Sequence, residues 1–421
     1  MNIIHGMNDS LRPEPRHPQP RALTGPLQTT LRTLPVVVVT GARQTGKSTL
    51  VRELLAGDDR LYLTLDDYDV LAQARDAPDQ LVRRAPRLTL DEVQRSPDLL
   101  LAIKRAVDED RVAGRFLLTG SANLLLMRTV SESLAGRAIY LTLWPLTRRE
   151  QLGLGRAGRW SALLSAAPSD WLHVLADDDA PQEDWRELAR RGGYPPPALE
   201  LSDDPARSIW FSGYVRTYLE RDLQELSAVQ NLVDFRRLMG AACLRIGQVL
   251  NQTELGRDVG LPQPTVHRYL NLLETTYQLV RVPAYAVNRT KRLMKSPKLF
   301  WADTGLALHL SGESEPRGAH LENLVAHDLV AWRDIHLDPP TILYWRTTTG
   351  EEVDFVIEAG AHLLPIEVKA TASVRPADAR HLHSFRAEYP DRSLPGVLLY
   401  TGEETYWLTD EALAVPWWRV V

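Results

Sequence analysis

Eight residues, Gly41-Ala-Arg-Gln-Thr-Gly-Lys-Ser48, carry the clearest chemistry in the sequence. They satisfy G-x-x-x-x-G-K-[ST] and follow directly on the apolar run Val36-Val-Val-Val-Thr40, the strand–loop–helix setting that a phosphate-binding loop requires. In such a loop Gly41 and Gly46 let backbone N–H groups wrap phosphates, with Arg43, Gln44, Thr45 and Thr49 as further contacts. Lys47 reaches the β- and γ-phosphates, and Ser48 is a ligand for Mg²⁺. Asp91-Glu92 follows 44 residues beyond Lys47, at the end of the strand-like run Leu88-Thr-Leu90. Asp91 is placed to share the metal with Ser48, and Glu92 to polarise an attacking water, a role that favours hydrolysis over transfer to another substrate. The expected ligands are therefore ATP and Mg²⁺.

Two weaker signals accompany this pair. Phe116-Leu-Leu-Thr119 ends in Gly120-Ser121, where Thr119 or Ser121 is a candidate sensor of the γ-phosphate, although Thr-Gly-Ser is also ordinary turn chemistry. Arg137 is a candidate for stabilising transition-state charge, in cis or across a subunit interface, or else a solvated arginine.

These motifs need elements to hold them. From residue 34 the runs Val36–Thr40, Leu61–Leu65, Leu88–Leu90, Phe116–Thr119 and Ile139–Leu143 alternate with helical patterns, which predicts a parallel sheet with crossover helices. The Gly- and Pro-broken helical stretch after Trp144 reads as a lid with a hinge near Gly192. With 421 residues the chain exceeds one ordinary domain. The divisions expected are a mobile arm (1–24), a P-loop α/β core (25–150), a helical lid (151–235), a winged helix (236–297) and a C-terminal α/β domain (298–421).

Hydrophobic residues make up 44% and charged residues 24%, which excludes a disordered chain. A net charge of -5 excludes a uniformly basic nucleic-acid coat and leaves room for a local patch. No apolar run approaches the ~20 residues that cross a bilayer, and the single cysteine, Cys243, fits a reducing cytosol. The expectation is a cytoplasmic protein without membrane attachment.

Leu90-Asp-Glu-Val-Gln94, Leu118-Thr-Gly-Ser121, Ser133-Leu-Ala-Gly-Arg137, Arg191-Gly-Gly-Tyr-Pro195 and Tyr214-Val-Arg-Thr-Tyr-Leu-Glu-Arg-Asp222, with the phosphate loop, resemble a group of bacterial ATP-binding proteins. In that group an AAA-type ATPase domain precedes a C-terminal domain of unknown function. The resemblance implies a P-loop fold of the AAA/STAND-like kind.

Two constellations lie beyond the ATPase region. In Thr253–Leu270, Leu255, Val259, Val266 and Leu270 have the spacing of a shared core around a turn at Gly260. Gln263, Thr265, His267 and Arg268 then fall on the exposed face of a recognition helix. Arg281 to Lys298 holds six basic residues, Lys291 and Arg292 among them, and no acidic one. Together these predict a nucleic-acid contact, DNA ahead of RNA, against the alternative of a protein-packing module. Further on, Glu322 on a helix, Asp354 and Glu367-Val-Lys369 look like a PD-(D/E)xK nuclease pattern, in which two strand-end carboxylates hold a metal and the lysine orients water. Val353 stands where that pattern has proline, and Glu367–Lys369 reads equally as a same-face salt bridge. Two functions are thus open: an ATPase with an active nuclease-like domain, or a nucleotide-gated protein-interaction switch whose nuclease-like domain cuts nothing. Either admits an oligomer.

Overall fold

The computed structural model describes residues 18–54, 59–120, 134–178, 180–217, 229 and 231–421. Five strands, β1 (Val36–Thr40), β2 (Leu61–Thr64), β3 (Leu88–Asp91), β4 (Phe116–Thr119) and β5 (Ala138–Thr142), form an all-parallel sheet in the order β2-β3-β4-β1-β5. β1, β3 and β4 are buried throughout, because crossover helices such as Leu99–Glu109 cover the sheet and leave no solvent face. The sequence expectation of a parallel sheet holds. Because β1 lies between β4 and β5, the loop after β1 opens at the crevice where α/β sheets bind ligands.

Residues 18–24 are not an arm. Leu23 is buried, and the Arg21 guanidinium is enclosed: it donates to the carbonyls of Thr45 (2.7 Å) and Trp144 (2.6 Å) and pairs with Glu150 at 3.1 Å. The rest of the expected arm, residues 1–17, lies outside the described residues.

The stretch expected as a lid is not a separate body either. Its helices Trp160–Ser165, Trp171–Ala176 and Trp185–Arg191 share one apolar core with the Gly318–Asp334 helix and the C-terminal strands. Trp171 stacks on Trp407 with ring centroids 6.2 Å apart. The Trp160 indole donates to Asp328 at 2.7 Å. Thr147 and Glu150 form a capping box, and the two arginines between them reach the end of the chain. Arg148 donates to the carbonyls of Trp418 and Val421, and Arg149 to that of Arg419, each at 3.0 Å.

Helices Leu232–Cys243, Gln252–Val259 and Gln263–Thr275 come next, and Leu255, Val259, Val266 and Leu270 are all buried, as their spacing predicts. They lead into an antiparallel pair, β6 (Leu279–Val282) and β7 (Lys298–Trp301), so the boundary drawn at residue 298 cuts through a hairpin. The C-terminal region is a six-stranded mixed sheet: β8 (Thr341–Arg346), β9 (Glu352–Ala359), β10 (His362–Lys369), β11 (Gly396–Tyr400), β12 (Tyr406–Thr409) and β13 (Ala412–Pro416), in the order β12-β13-β11-β10-β9-β8. Alternate residues of its strands pack toward the Gly318–Asp334 helix and toward the Arg380–Glu388 helix, giving an α/β/α layering.

Candidate functional site

A cleft of about 870 Å³ surrounds the loop after β1 and is lined by Gln44, Lys47, Ser48, Glu92, Pro195 and Leu199. Gly41 must be glycine, since a Cβ there would lie 2.3 Å from the Leu143 carbonyl oxygen. Gly46 has φ +93°, which turns the chain into the helical residues Lys47–Thr49. Lys47 is buried and its ammonium donates to the carbonyls of Ala42 (2.7 Å) and Gly41 (3.2 Å). Thr45 is buried, donating to the Ala42 carbonyl, while Arg43, Ser48 and Thr49 stay partly or fully exposed. Arg21, absent from the sequence reading, clamps this loop from outside through Thr45.

Asp91 closes β3 and is buried, and one of its oxygens accepts from the Tyr62 hydroxyl at 2.7 Å while the other accepts from Thr119. β4 lies between β1 and β3, which is why its last residue, Thr119, reaches Asp91. Thr119 also accepts the Glu92 N–H at 3.4 Å. Its hydroxyl is therefore engaged in holding the acidic pair, not turned out as a phosphate sensor, and the alternative, Ser121, lies outside the described residues. Glu92 has φ +59°, an uncommon conformation for a residue with a side chain, and accepts from Gln94. The donor set of Ser48 hydroxyl and Asp91 carboxylate is all hard oxygen and fits Mg²⁺, which when bound would neutralise phosphate charge. Thr119→Val, nearly isosteric, removes one donor to a buried carboxylate. It is expected to lower the hydrolysis rate by ~10-fold or more with nucleotide affinity nearly unchanged, as measured by phosphate release and nucleotide titration.

Arg137 does not reach this cleft. It precedes Ala138, which pairs with Val36 at the end of β1 remote from the phosphate loop, and it is held by Asp108 at 2.5 Å. A role in cis is excluded by that placement. Asp108 is held below the ordinary carboxylate range by this hydrogen bond.

The turn that precedes the cleft-lining Pro195 and Leu199 is held by a residue from another region of the chain. Asp303, fully buried, accepts the Gly193 N–H at 2.6 Å and the Leu306 N–H at 2.7 Å. A Cβ on Gly192 (φ +67°) would lie 2.5 Å from this carboxylate and one on Gly193 would lie 2.4 Å from the Leu146 carbonyl oxygen, which explains the Gly-Gly pair of Arg191-Gly-Gly-Tyr-Pro195. Burial pushes Asp303 up to about 6, against the pull of the backbone N–H groups. A second tie runs from Tyr277, whose hydroxyl donates to Thr40 at 2.9 Å and whose ring meets Trp144 edge-on. Trp144 in turn donates to Asp334 at 2.7 Å. Tyr277 has φ +58°, a further strained position.

On the helix Gln263–Thr275, Gln263, His267 and Arg268 are exposed and Thr265 is half-buried, as expected of an outward face. The basic run is divided. Arg289, Lys291 and Lys295 are exposed, but Arg292 is buried in an ion pair with Glu358 at 2.5 Å, and Arg281 pairs with Glu274 at 3.3 Å. Arg292 is therefore withdrawn from the nucleic-acid surface.

Glu322, Asp354, Glu367 and Lys369 do come together, but around a residue that the sequence reading placed in the basic patch. The Lys298 ammonium, 1% exposed, lies 3.0 Å from Glu322, 2.6 Å from Glu352 and 3.1 Å from Asp354. Burial opposes its charge, and Asp354, Glu322 and Glu352 outweigh that and hold it well above its usual value. Burial, then the Asp354 charge, raises Glu322 and Glu367 well above the carboxylate range. A protonated Glu322 still accepts from Lys298 through its carbonyl oxygen. Lys369 pairs with Glu367 at 2.6 Å, the same-face contact that their spacing implies. Among the described residues no group of three or more His, Cys, Asp or Glu has an arrangement that could hold a metal ion. The expected metal site is thus not formed as such.

The strand order, the loop after β1 and the Asp-Glu pair define a P-loop nucleotide-binding domain of the AAA type, and a family model described as an AAA domain matches residues 33–152. Domains of unknown function match residues 182–317 (DUF8612) and 317–420 (DUF4143). The chain belongs to the family of the uncharacterized proteins Rv2008c of Mycobacterium tuberculosis and Mb2031c of Mycobacterium bovis. It is 32% identical to each over 401 residues, 93% of this chain and 82% of the relative. An uncharacterized protein of Haemophilus influenzae is 22% identical over 79% of this chain and 82% of its own. Among solved structures, the Walker-type ATPase of Pyrococcus abyssi aligns over 70% of this chain and 99% of that one, with 15% identity and a TM-score of 0.41. A STAND protein of Pyrococcus horikoshii aligns over 76% and 47%, with 11% identity and a TM-score of 0.26. Neither likeness reaches the level at which it bears on function. No described helix is long and apolar enough to cross a membrane.

Proposed function

We propose that this chain is a Mg²⁺-dependent ATPase whose nucleotide state is transmitted to a winged helix that faces nucleic acid, DNA ahead of RNA. The observation that carries the reading is Asp303. One carboxylate, seated just after β7, fixes the Gly192-Gly193 turn, and that turn places Pro195 and Leu199 against the nucleotide cleft. Any movement of the cleft wall on nucleotide binding is thereby shared with the β6–β7 pair. Three helices followed by an antiparallel pair is the arrangement of a winged helix, with Gln263–Thr275 as its recognition helix. Arg268, Arg289, Lys291 and Lys295 are among its exposed cations, while the layered C-terminal sheet carries the nuclease-like pattern.

The salt dependence of DNA binding tests the surface. Arg268→Glu and Lys291→Glu are each expected to weaken binding and to lower the salt slope by roughly one unit per lost phosphate contact. Arg292→Glu should instead destabilise the fold, because it places a second acid against Glu358. Unchanged affinity and slope in the first two variants would leave the interaction-switch reading. One observation favours that second reading: Val287 and Met294 are 70% and 82% exposed beside the same cations, apolar surface suited to a protein partner.

A further inference from the structure

We infer that Lys298 is the resident cation of the C-terminal carboxylate cluster, its ammonium filling the position at which a nuclease-like site would take a divalent ion. The inference rests on the nuclease-like reading of the C-terminal sheet and adds that this module excludes metal. The distances carry it. Glu322 Oε1, Glu352 Oε1 and Asp354 Oδ1 all lie within 3.1 Å of Nζ, which satisfies the three donors of an ammonium group. The second Asp354 oxygen accepts the Val368 N–H at 2.9 Å, and Glu367 Oε1 is taken by Lys369 at 2.6 Å. Glu367 Oε2 is buried without a partner, a single open oxygen where Mg²⁺ takes about six at ~2.1 Å. An ion bound to Asp354 would sit within ~5 Å of Nζ, two like charges in surroundings that screen them poorly.

The source of the lysine explains why it stays. Lys298 is the first residue of β7, paired with Val282 of β6 and bridged to Val249. Its backbone is fixed by the winged-helix region, and its side chain enters the acid cluster of the neighbouring sheet and helix. The ammonium therefore locks the hairpin onto the C-terminal module, using carboxylates that would otherwise hold a metal.

The test is a Mn²⁺ titration of the nucleotide-free full chain, read by loss of the free-ion paramagnetic signal, with ATP hydrolysis of each preparation as a check on folding. Wild type and Asp354→Asn should bind Mn²⁺ equally weakly, and wild type should cut neither DNA nor RNA. Lys298→Ala should gain one Mn²⁺ per chain, at least tenfold tighter, and lose it again in combination with Asp354→Asn. A stoichiometric Mn²⁺ site in wild type that Asp354→Asn removes would overturn the inference while upholding the nuclease-like reading. A folded Lys298→Ala that gains no site would overturn both. Should Lys298→Ala fail to fold, the comparison of wild type with Asp354→Asn decides alone.

Discussion

Replacing Glu92 by glutamine is expected to slow ATP hydrolysis by ~10²-fold or more and to leave nucleotide affinity close to that of the wild type. Glu92 lines the cleft beside Ser48, and its backbone is held in a strained left-handed conformation directly after Asp91. Such strain persists only when the surroundings impose it, here through the Glu92 N–H on Thr119 and the side-chain contact with Gln94. Glutamine keeps the size and the backbone but cannot take a proton from water. Lys47→Ala should behave in the opposite way, weakening nucleotide binding itself because it removes the cation that meets the phosphates. Both variants are read by equilibrium nucleotide binding and by phosphate release. Hydrolysis at the wild-type rate in Glu92→Gln would show that the water is activated by another group.

The second large effect is expected at Asp303, far from the phosphate loop in sequence. Asp303→Ala leaves the buried N–H groups of Gly193 and Leu306 without their acceptor and removes the N-cap of the Thr304–Ser311 helix. Losses of this kind sum to about 2–4 kcal/mol, less the relief of no longer burying a carboxyl. Denaturant unfolding should show the loss, and Asp303→Asn should recover much of it by keeping one acceptor. Because Pro195 and Leu199 line the cleft beyond this turn, ATP affinity should fall roughly tenfold in the alanine variant. A destabilised protein with unchanged ATP affinity would confine Asp303 to a structural role.

What the sequence disclosed and what it hid divide along physical lines. The phosphate loop was legible because its eight residues are contiguous, and Asp91-Glu92 because it ends a buried strand. The helical core of Leu255, Val259, Val266 and Leu270 was legible from its period. The direction of the basic side chains is hidden because their partners are remote: Glu358 lies 66 residues from Arg292, and Asp354 lies 56 from Lys298. Charge density along a chain does not show which way a side chain points. The sequence does not show that the lid helices join the C-terminal core, because the carbonyls that Arg148 and Arg149 reach lie some 270 residues away. Thr147 and Glu150 have capping-box spacing, and Asp303-Thr-Gly has the look of a helix start. β12 and β13 leave little sequence signal because each is short and the turn between them is brief.

The proposed coupling of the nucleotide cleft to the three-helix and β6–β7 module through Asp303 is decided by DNA affinity measured by fluorescence anisotropy with ATP, with ADP and without nucleotide, in wild type and in Asp303→Asn. Coupling requires the wild-type affinity to differ at least fivefold between nucleotide states, with a matching effect of DNA on ATP affinity, and the difference to shrink in the variant. Equal DNA affinity in all nucleotide states of the wild-type protein would contradict it.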